Sequence, residues 1–256
     1  MKFGQAMMKL HIAAAVVVAG LSTGSAWASP YVLSAGPGGL TAGDLTGWVA
    51  YTGTPSLNEH VFVGPLNMNV TDTAIPSTIQ QTLWCTDIFD AFVPSGTYNL
   101  SSSSLAGRLD AAKVGQINAL LAHAPLVLGT TTDPASAGAA FQAAIWEIEN
   151  EAGDSGYNIS SPALTVSVDG DPTNFLADVS QYLSNVTDGT TWLPDNTQTV
   201  MEYVPTDPAN NQSFGFLQLS GGGKSIPTPE PASLLLLGGG LMGLAVARRK
   251  KTLPAA

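Results

Sequence analysis

Residues 133–153, Asp133-Pro-Ala-Ser-Ala-Gly-Ala-Ala-Phe-Gln-Ala-Ala-Ile-Trp-Glu-Ile-Glu-Asn-Glu-Ala-Gly153, carry the clearest structural signal in the chain. Asp133 is an N-cap and Pro134 a first-turn proline, which lacks only an N–H that the first turn leaves unpaired anyway. Phe141, Ala144, Ile145, Ile148 and Ala152 then recur at helical spacing and form one apolar face that ends at Gly153. Upstream, Leu105, Leu109, Ala112, Ile117, Leu120, Leu121 and Ala124 repeat the pattern after the Ser101–Ser104 run, and predict a helix that stops before Pro125. Downstream, Asp171-Pro172 predicts a shorter helix with Phe175, Leu176, Val179, Tyr182 and Leu183 on one side. Short β-branched and aromatic runs lie on either side of this block: 47–52, 60–63 and 82–85 before it, and 163–168, 199–204 and 213–219 after it. The fold class is therefore α+β, a β-sheet, sandwich-like scaffold with an inserted block of two to three helices.

The chain has 256 residues, 45% of them hydrophobic and 11% charged, with 27 glycines and 17 prolines. That composition excludes a disordered chain and a coiled coil, and no repeat of solenoid or propeller length is visible. The net charge is −10, and six of the nine basic residues sit in the two terminal segments. Between Ser29 and Thr228 only Arg108, Lys113 and Lys224 oppose 18 acidic residues, a balance of −15. Nucleic acid is excluded as a partner, because its binding needs the opposite charge.

The two ends read as addresses. Lys2 and Lys9, the apolar run 12–21 and the small-x-small triplet Ala26-Trp27-Ala28 predict a signal peptide over residues 1–28, cut by signal peptidase after Ala28. Residues 29–224 form the exported domain, and 225–231 a Pro-rich linker containing Pro229-Glu230-Pro231. Residues 232–256 are a hydrophobic helix and a basic tail, Arg248-Arg249-Lys250-Lys251. Basic residues stay on the cytoplasmic side, which orients the exported domain outward while this helix sits transiently in the inner membrane.

Pro229-Glu230-Pro231, the apolar span and the basic end together resemble the PEP-CTERM sorting signal of Gram-negative bacteria. The resemblance implies export, processing by an exosortase at the Pro-Glu-Pro motif, and a product at the cell surface or in the extracellular matrix of a host that makes exopolysaccharide and biofilm.

Within the exported domain, two segments carry chemistry: Leu83-Trp-Cys-Thr-Asp-Ile-Phe89, with the chain's one cysteine, and Phe141-Gln-Ala-Ala-Ile-Trp-Glu147. A single Cys85 has no disulfide partner in this chain. Attack of the Cys85 thiolate on the side-chain amide of Gln142, with loss of ammonia, gives an internal thioester, an acyl donor for an external amine or hydroxyl. Such a bond requires one Cys, one Gln and exclusion of water. Trp146, one turn beyond Gln142, is a candidate roof over the bond, and Asp87, two residues past the cysteine, a candidate support on the same side.

Cys85-Thr-Asp87 followed by Gln142-Ala-Ala-Ile-Trp146 resembles the paired motifs of bacterial surface thioester domains. The resemblance runs from about Trp84 to Glu149 and implies that Cys85 and Gln142 form the cross-link. It departs from those domains at Phe141, where they usually have threonine or a similar residue. A broader pattern over residues 84–218 resembles a recurrent type of PEP-CTERM protein without a settled biochemical role.

Other chemistries find less support. A cysteine peptidase needs an imidazole at Cys85, and the candidates in the exported domain, His60 and His123, sit in no recognisable motif. Asp169-Gly-Asp171 and the group Glu147, Glu149, Glu151 and Asp154 lack the alternation of a calcium loop, so the acidic group reads as a solvated face. The expectation is a single-use attachment device, not a turnover enzyme, with no cofactor and no metal. The alternative is a non-reactive structural component of the matrix in which Cys85 and Gln142 are core residues.

Overall fold

The structure is a computed structural model that describes residues 30–36, 45–75, 77–90, 95–151, 156–159, 163–170, 174–207 and 212–219. Ala26, Ala28, Pro229, Glu230 and Pro231, and with them the signal peptide, the linker and the sorting helix, lie outside the described residues. Among the described residues no helix is long and apolar enough to cross a membrane.

The chain is α+β, as its pattern predicts. Nine strands are described: β1 (Tyr31–Ala35), β2 (Leu45–Tyr51), β3 (Leu57–Val63), β4 (Leu66–Asp72), β5 (Ser77–Cys85), β6 (Ser95–Ser101), β7 (Leu164–Val168), β8 (Gln198–Pro205) and β9 (Phe214–Leu219). Six of them close an antiparallel barrel in the order β1-β4-β5-β9-β8-β6, and the other three make a separate sheet, β3-β2-β7. The β scaffold is thus a barrel with a side sheet. Alternation along the strands fills the barrel with Tyr31, Leu33, Leu66, Met68, Val70, Leu83, Tyr98, Tyr203, Phe214 and Phe216.

The helices are α1 (Ser104–Arg108), α2 (Ala111–Thr130), α3 (Pro134–Asn150) and α4 (Phe175–Thr187). They pack with the three-stranded sheet around a second core, which contains Trp84 and Cys85 at the end of β5. β5 therefore runs out of the barrel interior into the helical core, and Cys85 lies where the two meet.

Two helix boundaries differ from the sequence reading. The first expected helix is two: α1 is a single short piece, and α2 starts afresh at Asp110, whose side chain accepts from Lys113 N at 2.9 Å. α2 also continues through Pro125 to Thr130. Pro125 is exposed, and it costs the helix only the one bond that its missing N–H would have made to the Leu121 carbonyl. α3 is capped as expected, Asp133 accepting from Ser136 N at 3.1 Å, and ends at Asn150. α4 begins at Phe175, and Asp171-Pro172 lies outside the described residues.

α3 is more deeply buried than an amphipathic pattern implies: every residue from Ser136 to Ile148 is buried. Gly138 makes this possible on one side, since a Cβ there would come within 2.9 Å of the Pro65 ring in the β3–β4 turn. Glu147, Glu149 and Glu151 are correspondingly not a solvated face, and Asp154 lies outside the described residues. Glu147 is fully buried and accepts from Asn158 N at 2.5 Å, Glu151 is buried, and Lys113 donates to the Glu151 carbonyl at 2.5 Å. α2 and the 156–159 segment cover the side of α3 that its charges would otherwise expose to water.

Candidate functional site

Cys85 is the last residue of β5. Trp84 pairs with Gly215 of β9, and Thr86 N donates to the Ser213 carbonyl at 3.0 Å, so these neighbours address β9. The backbone groups of Cys85 point the other way, toward the side that β4 covers earlier in the strand. β4, however, begins its pairing at Leu66, opposite Leu83, and leaves nothing opposite Cys85. The side chain of Gln142 fills that place. Its Oε1 accepts from Cys85 N at 3.0 Å, and its Nε2 donates to the Cys85 carbonyl at 2.8 Å. One primary amide thus reproduces the two bonds that a strand residue would make, and both residues are buried.

The thiol is directed along the same wall. Cys85 Sγ donates to the Asp87 carbonyl at 3.0 Å. Asp87 contributes that backbone oxygen, while its carboxylate accepts from Phe89 N at 2.9 Å and closes a tight turn over residues 87–89. Burial pushes the Cys85 thiol well above its usual range, and the carboxylates of Glu149 and Asp87 act in the same direction. The thiol therefore rests protonated. Neither histidine serves it: His123 donates from Nδ1 to the Ala119 carbonyl at 2.8 Å, and His60 Nε2 meets Asp169 Oδ2 at 2.7 Å.

Cys85 and Trp146 share the wall of a cavity of about 580 Å³, which also takes in His60, Phe62, Phe89, Asp90 and Gln212. Trp146 is 2% exposed, and its indole Nε1 has no hydrogen-bond partner. Asp90, on the rim, is pushed up to about 6 by burial and by its neighbour Asp87. On α3, Gln142, Trp146 and Glu149 follow one another at spacings of four and three, which brings all three to the side of the helix facing the cysteine segment. The carboxyl end of Glu149 is buried with Oε1 unpartnered, and burial raises it well above the usual carboxylate range.

Behind Thr86 lies a polar group that motif reading missed. Thr86 Oγ1 donates to Glu202 Oε1 at 2.5 Å, and Arg108 donates to the same oxygen at 2.7 Å and to the Thr86 carbonyl at 3.3 Å. Glu202 is 1% exposed. The available signal was the scarcity of cations: Arg108 is one of three basic residues in an exported domain with 18 acids. The triad ties α1 to β8 and fixes the residue after the cysteine. On the other flank Phe141 lies in an aromatic stack with Tyr182 at 4.3 Å, Trp192 at 5.8 Å and Trp84 at 5.9 Å, which accounts for an aromatic residue at the position before Gln142.

Among the described residues no group of three or more His, Cys, Asp or Glu side chains is arranged to hold a metal ion. The exposed Asp169 is engaged by Thr46 Oγ1 and by His60, which hold its carboxyl below the usual range.

Residues 227–250 match the PEP-CTERM protein-sorting motif. That motif implies export, processing by an exosortase and a surface or extracellular location. No curated protein matches the chain. Among solved structures, the N-terminal domain of the Streptococcus pyogenes pilus tip adhesin Cpa is similar at 13% identity, covering 73% of this chain and 99% of that one, with a TM-score of 0.44. The N-terminal thioester domain of a protein F2 like fibronectin-binding protein from Streptococcus pneumoniae is similar at 11% identity, covering 75% and 94%, with a TM-score of 0.41. A third is the N-terminal thioester domain of a Clostridium perfringens surface protein, at 13% identity, 69% and 99% coverage and a TM-score of 0.39.

Proposed function

We propose that the exported domain, residues 29–224, forms an internal thioester between Cys85 Sγ and Gln142 Cδ and uses it once, to attach the protein covalently to an amine or hydroxyl on a surface or matrix partner. The observation that carries this reading is the pair of reciprocal hydrogen bonds between the Gln142 amide and the Cys85 backbone. They hold the electrophilic carbon beside the only cysteine in the chain, with both residues buried.

Bond formation joins Sγ to Cδ and releases Nε2 as ammonia, with the thiol supplying the proton that the leaving nitrogen needs. In the tetrahedral intermediate the negative charge develops on Oε1, where the Cys85 N–H is already directed, so the ground-state hydrogen bond becomes an oxyanion contact. Attack by an external amine later transfers the acyl group of Gln142 and regenerates the thiol. Cys85 ends as it began but Gln142 does not, so the protein acts once and is not a turnover enzyme.

Delivery follows from the ends of the chain. Signal peptidase removes residues 1–28, the apolar segment from residue 232 holds the protein in the inner membrane, and an exosortase releases it at Pro229-Glu230-Pro231 to the surface or matrix of a Gram-negative, exopolysaccharide-producing cell. A second reading has its own support. Gln142 already completes the hydrogen bonding of Cys85, and the thiol is satisfied by Asp87, so both residues are fully employed in a matrix component without any reactive bond.

Intact mass of the full-length protein and its Cys85→Ala variant, with and without methylamine, separates the two. The thioester gives a deficit of about 17 Da, one ammonia, in the wild type alone, mapping to Cys85 and Gln142 and replaced by methylamine at Gln142. Full mass with a thiol that alkylates on unfolding leaves the structural reading standing.

A further inference from the structure

The indole N–H of Trp146 has no acceptor although the residue is 2% exposed. A buried donor without a partner is destabilising, so an orphan at this site calls for a reason. Trp146 stands one helical turn beyond Gln142 and lines the same cavity as Cys85. Its N–H lies close enough to the sulfur to favour the charged form of Cys85, without closing a hydrogen bond to it.

We propose that the Trp146 indole N–H is the donor that stabilises the departing sulfur when an external amine opens the Cys85–Gln142 bond. The proposal rests on the thioester reading and assigns to Trp146 a catalytic role in addition to covering the bond.

In that step the amine nitrogen attacks Gln142 Cδ and forms a C–N bond. The Cδ–Sγ bond breaks, its electron pair goes to Sγ, and the proton lost by the amine nitrogen ends on the sulfur. The product is an N-substituted amide at Gln142 and the Cys85 thiol.

Charge therefore appears briefly on a sulfur whose surroundings oppose it, since the site is buried and faces the carboxylates of Asp87 and Glu149. Once Nε2 has left as ammonia, the Cys85 N–H still serves the carbonyl oxygen of the thioester, and it does nothing for the sulfur. The Asp87 carbonyl can only accept, so it helps the thiol and not the thiolate. A neutral N–H is the group this site needs at sulfur. Trp146 holds it in place without introducing a charge that would bring water into the cavity.

The test uses the full-length protein, its Trp146→Phe variant, and a third form carrying 3-benzothienylalanine at position 146, which keeps the bicyclic shape and replaces N–H by sulfur. Each is assayed by intact mass for the ammonia deficit, by thermal melting for the fold, and by time-resolved mass for methylamine capture at fixed pH.

Retained deficit and melting with capture slowed about tenfold to a hundredfold in both altered forms supports the donor role. Wild-type capture by the benzothienyl form overturns it, since shape alone then suffices. Loss of the deficit in well-folded altered forms also overturns it, because the N–H is then needed to make the bond and not to break it. A wild type at full mass removes the thioester reading and this role together, and is distinguishable from failure of the role alone, where the wild-type deficit is present.

Discussion

Gln142 and Cys85 are joined by two hydrogen bonds of opposite sense, 3.0 Å from backbone N–H to side-chain oxygen and 2.8 Å from side-chain nitrogen to backbone carbonyl. The amide of a helix residue thereby substitutes for the β4 partner that β5 lacks at its last position. This gives Gln142 a structural weight independent of any covalent chemistry. Gln142→Leu keeps the volume but leaves a buried N–H and a buried carbonyl unpaired, at a cost of about 2–4 kcal/mol. Urea unfolding of this variant in a Cys85→Ala background, where no thioester forms, is expected to show that loss with an unchanged m-value.

Phe141 offers a complementary case, because resemblance to thioester domains suggests threonine there. Phe141 is fully buried and stacks on Tyr182 at 4.3 Å and on Trp192 at 5.8 Å. Phe141→Thr removes that contact and buries a hydroxyl in an aromatic site, and is expected to lower stability by about 3–5 kcal/mol. The change destabilises the platform on which Gln142 stands, so its effect is read in thermal melting; gain of stability would show that the stack is dispensable.

These two positions also mark how far the sequence can be read. The Asp133-Pro134 cap and the Gln142–Trp146 spacing are local, and α3 with its site-facing side follows from them. Barrel closure is not local: β5 meets β9 through Trp84 and Gly215, and no periodicity in either strand announces the partner. The same applies to burial of α3. Its acidic residues look solvated until Lys113 of α2 and the backbone of Asn158 are brought against them from elsewhere in the chain. Pro125 misled for a physical reason, since a proline inside a helix removes one hydrogen bond, and the packing of the rest of α2 outweighs that loss.

The Arg108–Glu202 pair is asymmetric, with side-chain exposures of 44% and 1%. Removing the cation leaves a buried carboxylate held only by Thr86. Arg108→Met is therefore expected to cost about 2–4 kcal/mol, with much of that recovered in the Arg108→Met, Glu202→Gln double variant, where no buried charge remains. A double-variant cycle by urea unfolding checks the recovery; strictly additive losses would show that the two side chains act independently.

Asp90 sets a pH dependence at the cavity rim. Burial and the adjacent Asp87 raise its folded value to about 6, above an unfolded value near 3.9. A group whose folded value is raised binds its proton more tightly in the native state. Its contribution is fully present below about pH 4 and is lost as pH rises through about 6. Asp90 is only half-buried, so after screening the effect is about 1 kcal/mol, or roughly 2–4 °C in melting temperature for a domain of this size. Buried Glu147 and Glu149 are raised as well and shift stability in the same sense, which makes the informative quantity a difference between variants. Asp90→Asn should lie close to the wild type at pH 4 and melt above it at pH 7, once the Asp87–Asp90 repulsion is gone. Equal melting temperatures of the two proteins at both pH values would show that Asp90 titrates alike in the folded and unfolded chain.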